Sequence, residues 1–172
     1  MNKLKPSFEE SIKAASIWCS AWDQGELSDE VLAERVSELL DTSNGARGFF
    51  AISLSSNSPL MDRLPEALIF QLREAGELVV DLVAKNLAMS TAMALHHQRN
   101  KNFEQQVGSQ NITRRCLELL RVLEPFSVKK VLESLLEATQ GKGKYDDFLN
   151  RWNYDDAQKL KIAEVINLIT EN

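Results

Sequence analysis

Apolar side chains recur at three- and four-residue steps along most of the chain, the spacing that lays them on one stripe of an α-helix. Phe8, Ile12, Ala15, Cys19 and Trp22 form the first stripe. Just before it, Ser7 with Glu10 three residues on has the capping-box pattern, in which two open backbone N–H groups are satisfied reciprocally. Gly25 is placed to end this helix, since glycine readily takes the left-handed conformation of helix stops. Ser28 caps a second helix, Asp29 and Glu30 complement its positive end, and Leu32, Val36, Leu39 and Leu40 face inward until Asn44-Gly45 stops it. The short link between the two favours an antiparallel pair.

Residues 45–58 are ambiguous by pattern. Phe50, Ile52 and Leu54 alternate as in a strand, but no second strand pattern exists to pair with them. An isolated strand cannot satisfy its backbone, so a short helix is predicted, followed by a loop over 53–58. Ser58-Pro59 opens a further helical region, and Pro65 starts a helix over 66–75 with Leu68, Ile69 and Leu72 inward, broken at Gly76. The longest pattern spans 77–100 and is apolar nearly all round: Leu78, Val79, Leu82, Val83, Leu87, Met89, Met93 and Leu95. A helix of that kind belongs in the middle of a domain.

Residues 98–110 are polar and read as a helix tail and loop. A helix over about 109–123 follows, with Ile112, Cys116, Leu119, Leu120 and Leu123 inward. Pro125 begins the next, with Val128, Val131, Leu132, Leu135 and Leu136. Gly141-Lys142-Gly143-Lys144 is a loop, and Tyr145, Phe148, Leu149 and Trp152 form a short amphipathic helix. Asn153 is a candidate cap for the last helix, with Asp155 and Asp156 in its first turn and Leu160, Ala163, Ile166 and Ile169 inward. The expected architecture is all-α: one domain over 1–172, a bundle of seven or eight helices around a central helix near 77–100.

Two cysteines in 172 residues make no disulfide framework; Cys19 and Cys116 lie on apolar stripes and are expected to be buried thiols in a reducing compartment. The first residues carry charge but no apolar run, so cytoplasmic residence is expected. Asp81, Lys85 and Asn86 argue against a membrane span at 78–95. Charge is uneven: residues 1–83 hold 7 basic and 14 acidic side chains, residues 84–144 hold 10 and 5, and residues 145–172 hold 3 and 6. A middle third at +5 is too weakly basic for a nucleic-acid module and points instead to self-association or an acidic protein partner.

Candidate chemistry is sparse. His96 and His97 are adjacent, so on a helix they point about 100° apart and cannot share one metal. A nucleophilic site needs nucleophile, base and orienter, and both thiols lie on apolar stripes. Residues 141–144 lack the spacing of a phosphate loop, and the Asp146-Asp147 and Asp155-Asp156 pairs suit helix starts rather than a calcium loop. No catalytic residue, metal or cofactor is therefore expected. Arg114, Arg115, Arg121, Lys129 and Lys130 are candidates for a basic docking face, Arg114 and Arg121 being seven residues apart on one side of a helix. The alternative is a pocket for a small apolar or pigment-like ligand, with Arg47 as polar anchor beside Phe49, Phe50 and Trp22.

Two strings, Gly45-Ala46-Arg47-Gly48-Phe49-Phe50 and Lys85-Asn86-Leu87-Ala88-Met89-Ser90-Thr91-Ala92-Met93, resemble those of a small uncharacterised all-helical protein family of cyanobacteria. The resemblance covers those 15 residues. It implies a soluble cytoplasmic protein of a photosynthetic bacterium and carries over no activity and no catalytic residue.

Overall fold

The computed structural model describes residues 5–170. Among them the fold is all-α, with nine α-helices, one 3₁₀ turn and no strand. The chain forms two compact units that divide between Leu82 and Val83.

Unit 1 holds α1 (Phe8–Asp23), α2 (Asp29–Leu40), α3 (Ser43–Ser53), a 3₁₀ turn (Pro59–Asp62) and α4 (Glu66–Glu74). The capping box at Ser7 and Glu10 and the Ser28 cap both form. Residues 45–53 are helical, as the lack of a pairing strand requires. Asn44-Gly45 does not end α2, however. The Gly45 N–H donates to Thr42 Oγ1 at 3.0 Å, and that cap restarts a helix almost at once. α1 packs chiefly on α3, and α2 on α3 and α4. Leu32, Phe49, Phe50, Leu60, Leu68 and Leu72 are fully buried between them. α1 and α3 approach closely at Gly48, where a Cβ would lie 2.5 Å from the Ser11 Cβ and 3.0 Å from the Ile12 nitrogen.

α5 (Glu77–Arg99) begins in unit 1 and continues into unit 2, which also holds α6 (Phe103–Val122), α7 (Pro125–Ala138), α8 (Asp146–Arg151) and α9 (Asp156–Thr170). By length and composition α5 could cross a membrane; a core helix meets the same two criteria, and Val83, Leu87, Ala88 and Ala92 are fully buried. Polar ties join the helices of this unit. Ser90 Oγ and Thr113 Oγ1 lie 2.8 Å apart, and Gln158 Nε2 donates to the Ala92 carbonyl at 3.1 Å.

Four local expectations change here. α6 starts at Phe103, not near 109, because Lys101 turns the chain with φ +56° and the Asn102 side chain accepts from the Gln105 N–H. Asn153 does not cap α9; Asp155 and Gln158 do, each side chain accepting from the other's backbone N–H. Leu160 is exposed, because Gln158, Ile162 and Ile166 form the buried row and Leu160 is about 200° round the helix from its neighbours in that row. Trp152, read as inward, is also exposed.

The Arg99 guanidinium, 2.6 Å from Asp155, is the largest cause holding the Asp155 carboxyl below its ordinary range; the Gln158 N–H adds to it. A lowered carboxyl stabilises the fold above its unfolded-state pKa, and that contribution is lost as pH falls through the folded value. D155N is therefore expected to flatten the acid side of the stability–pH curve, measured by circular dichroism between about pH 5 and 2. Gly48→Ala is expected to destabilise by about 1–3 kcal/mol through the Ser11 clash. Gly108→Ala, whose Cβ meets nothing within 4 Å on α6, is expected to stabilise by about 0.5–1 kcal/mol. Urea denaturation of both variants checks the opposite signs.

Candidate functional site

The outer face of α6 carries the most organised set of exposed side chains. Phe103, Val107, Arg114 and Arg121 follow at steps of four, seven and seven residues. At 3.6 residues per turn they fall within about 40° of one line running roughly 27 Å along the helix. Phe103 is 62% and Val107 55% exposed. Arg114 reaches Glu118 at 3.6 Å, an exposed pair one turn apart. The stripe is thus apolar at its N-terminal end and basic towards its C-terminal end.

At that basic end lies a groove of about 360 Å³ formed by α6, α7 and the end of α9. Leu120, Leu123, Leu132 and Ile169 line its apolar part, and Arg121 and Lys129 add exposed cations. Among the described residues neither Arg121 nor Lys129 has an ion-pair partner. Phe126, on the first turn of α7, is 75% exposed. The first turn itself is sealed by Glu124, whose carboxylate accepts from the Phe126 and Ser127 N–H groups at 3.0 and 2.7 Å. Those two bonds lower its pKa.

Of the five cationic residues expected on this face, Arg114, Arg121, Lys129 and Lys130 are exposed. Arg115 is not: it follows Arg114 by about 100°, which turns it inward to 7% exposure beside the stripe of Cys116 and Leu119. Phe103 and Val107 escaped the sequence reading because polar neighbours mark 98–110 as loop. The signal that finds them is Asn102, a good cap three residues before Gln105.

The four residues expected to hold an apolar ligand are divided between three environments. Phe49 and Phe50 belong to the core, their ring centroids 5.2 Å apart. Arg47 is exposed, with its guanidinium 4.9 Å from the centroid of the Phe8 ring. Trp22 lines an open cleft with Asp23, Asp29, Pro59, Arg63 and Pro65.

Both thiols are buried, and burial raises their pKa: Cys19 to about 11, with Asp23 adding a smaller push, and Cys116 further. His96 accepts or donates at 3.1 Å to Asn100 one turn on. No group of three or more His, Cys, Asp or Glu side chains among the described residues is placed to hold a metal ion.

Residues 7–169 match the family described as uncharacterised conserved protein UCP020893, and the chain belongs to that family. No curated protein and no solved structure matches it.

Because the thiolate is the reactive form, neither cysteine should react with an aromatic disulfide reagent at pH 8 while the protein is folded. Two equivalents should react at once in denaturant. Fast release of one equivalent from the folded chain would show a thiol more accessible than its burial allows.

Proposed function

We propose that this chain is a non-enzymatic interaction protein that docks an acidic amphipathic helix of a partner protein along the outer face of α6. The observation that carries the reading is the exposed stripe Phe103, Val107, Arg114 and Arg121, leading to the groove flanked by Lys129. A helix laid on another presents anchors at three- and four-residue spacing. Here the matching helix would place apolar side chains against Phe103 and Val107, and carboxylates against Arg114, Arg121 and Lys129. Burying the two apolar side chains supplies affinity, while the cations fix direction and raise the association rate.

A second copy is a poorer occupant than a separate protein. The most acidic helix of the chain itself, α2, shows Glu30, Glu34 and Glu38 on one row, but the large apolar side chain exposed on it is Val31. That helix could meet the guanidiniums and would leave Phe103 and Val107 uncovered.

The test is fluorescence anisotropy of a labelled helical peptide with leucines at three- and four-residue steps and glutamates beside them, against a copy with lysine for glutamate. The acidic peptide should bind saturably and more weakly as salt rises. R114E/R121E should abolish binding, and F103S/V107S should weaken it about tenfold, with near-unchanged thermal stability because these side chains are exposed. Equal binding of the basic peptide, or indifference to both double variants, would contradict the proposal. A concentration-dependent dimer that F103S/V107S dissolves would assign the face to a second copy instead.

A further inference from the structure

The Trp22 cleft belongs to unit 1, and its chemistry is opposite in sign to that of the basic face of α6. Trp22 and Asp23 end α1, Asp29 opens α2, Pro59 opens the 3₁₀ turn, and Arg63 and Pro65 lead into α4. Together they line an open cleft of about 460 Å³. The Trp22 indole N–H donates to Asp29 Oδ1 at 2.8 Å, and the Ser58 hydroxyl donates to Asp23 Oδ1 at 2.9 Å. Each bond engages one oxygen of its carboxylate and leaves the other available as an acceptor.

Three features favour positive charge there. An indole face attracts cations through its quadrupole. Two carboxylates outweigh the Arg63 guanidinium that shares the lining. And α1 ends in Asp23 with no basic residue in its last turn, so the partial negative charge of the helix end adds to a carboxylate rather than being offset. That last arrangement is locally unfavourable, and a bound cation would relieve it. The proline rings contribute apolar wall without N–H donors, which suits the methylene or methyl groups that surround an organic cation.

We propose that this cleft binds an organic cation, a guanidinium or alkylammonium group, seated on Trp22 between Asp23 and Asp29. The group reaches it either on a free small molecule or on a side chain of an extended peptide. The site differs from the apolar or pigment pocket expected from the sequence, because Phe49 and Phe50 are in the core and leave Trp22 with carboxylates and prolines as neighbours.

The Trp22 indole N–H resonance of the ¹⁵N-labelled full chain, identified by its absence in W22F, reports on this site directly because it is the donor to Asp29. Arginine methyl ester and choline should shift it saturably, and 3,3-dimethylbutan-1-ol, the neutral counterpart of choline, should not. D29N and D23N should each weaken binding about threefold to fivefold, and R63Q should strengthen it by a similar factor. D23N should also raise the thermal midpoint, since it removes a carboxylate from a helix C-terminus, so weaker binding cannot be laid to misfolding. An acetylated arginine-containing hexapeptide binding at least tenfold tighter than the ester would assign the cation to a peptide; equal or weaker binding would assign it to a small molecule. No saturable shift, an equal response to the alcohol, or unchanged affinity in both aspartate variants would overturn the proposal.

Discussion

Withdrawal of the helical stripes from water decides where everything else in this chain can go. Each fully buried Leu, Met or Phe contributes on the order of 1.5–3 kcal/mol relative to exposure, and unit 1 alone buries Leu32, Phe49, Phe50, Leu60, Met61, Leu68 and Leu72. With that demand met, charges gather on outer faces and at helix ends. Ser7 with Glu10, Ser28, Thr42, Asn102, Glu124 and Asp155 with Gln158 each satisfy N–H groups that helix starts leave open. Close packing adds its own limit at Gly48, where α3 meets α1 with no room for a methyl group.

Against that background the exposed apolar side chains of α6 stand out. Phe103 and Val107 sit on a part of the helix where almost every residue is exposed, beyond the buried row that begins near Arg115 and Cys116. The core is complete without them. They share a line with two guanidiniums, whereas scattered surface apolar residues need no common direction. The Trp22 cleft shows the converse: an aromatic side chain kept between two carboxylates, one of which, Asp23, sits at the C-terminal end of α1, where an acidic group costs rather than adds stability. The two surfaces differ in sign and in unit.

Much of the fold was legible because helix spacing and end signals agree. The stripe from Phe8 to Trp22 lies between a capping box and a left-handed Gly25. Residues 45–53 could be assigned to a helix by elimination, since a strand without a neighbour has no hydrogen-bond partners. Three helix starts were hidden because local side-chain bonds set them where composition alone does not. Asn102 starts a helix in polar sequence, Thr42 starts one across Asn44-Gly45, and Asp155 takes the cap expected of Asn153. The candidate site was legible only as far as one helix determines it. A seven-residue step places Arg114 with Arg121, but the groove needs Ile169 brought to Leu120 and Leu132, and the cleft needs Pro59 and Pro65 brought to Trp22. Those are contacts between residues distant in sequence, which periodicity along one helix does not encode.

Hydrogen exchange read by mass spectrometry bears most directly on the role given to α6. Its first two turns are exposed, so their amides should exchange early in the free protein and become protected, together with those reaching Arg121, when an acidic amphipathic helix is added. Protection confined to 103–122 and the adjoining start of α7 is the expected result. Unchanged exchange there, or protection appearing in α1 to α4 instead, would contradict it.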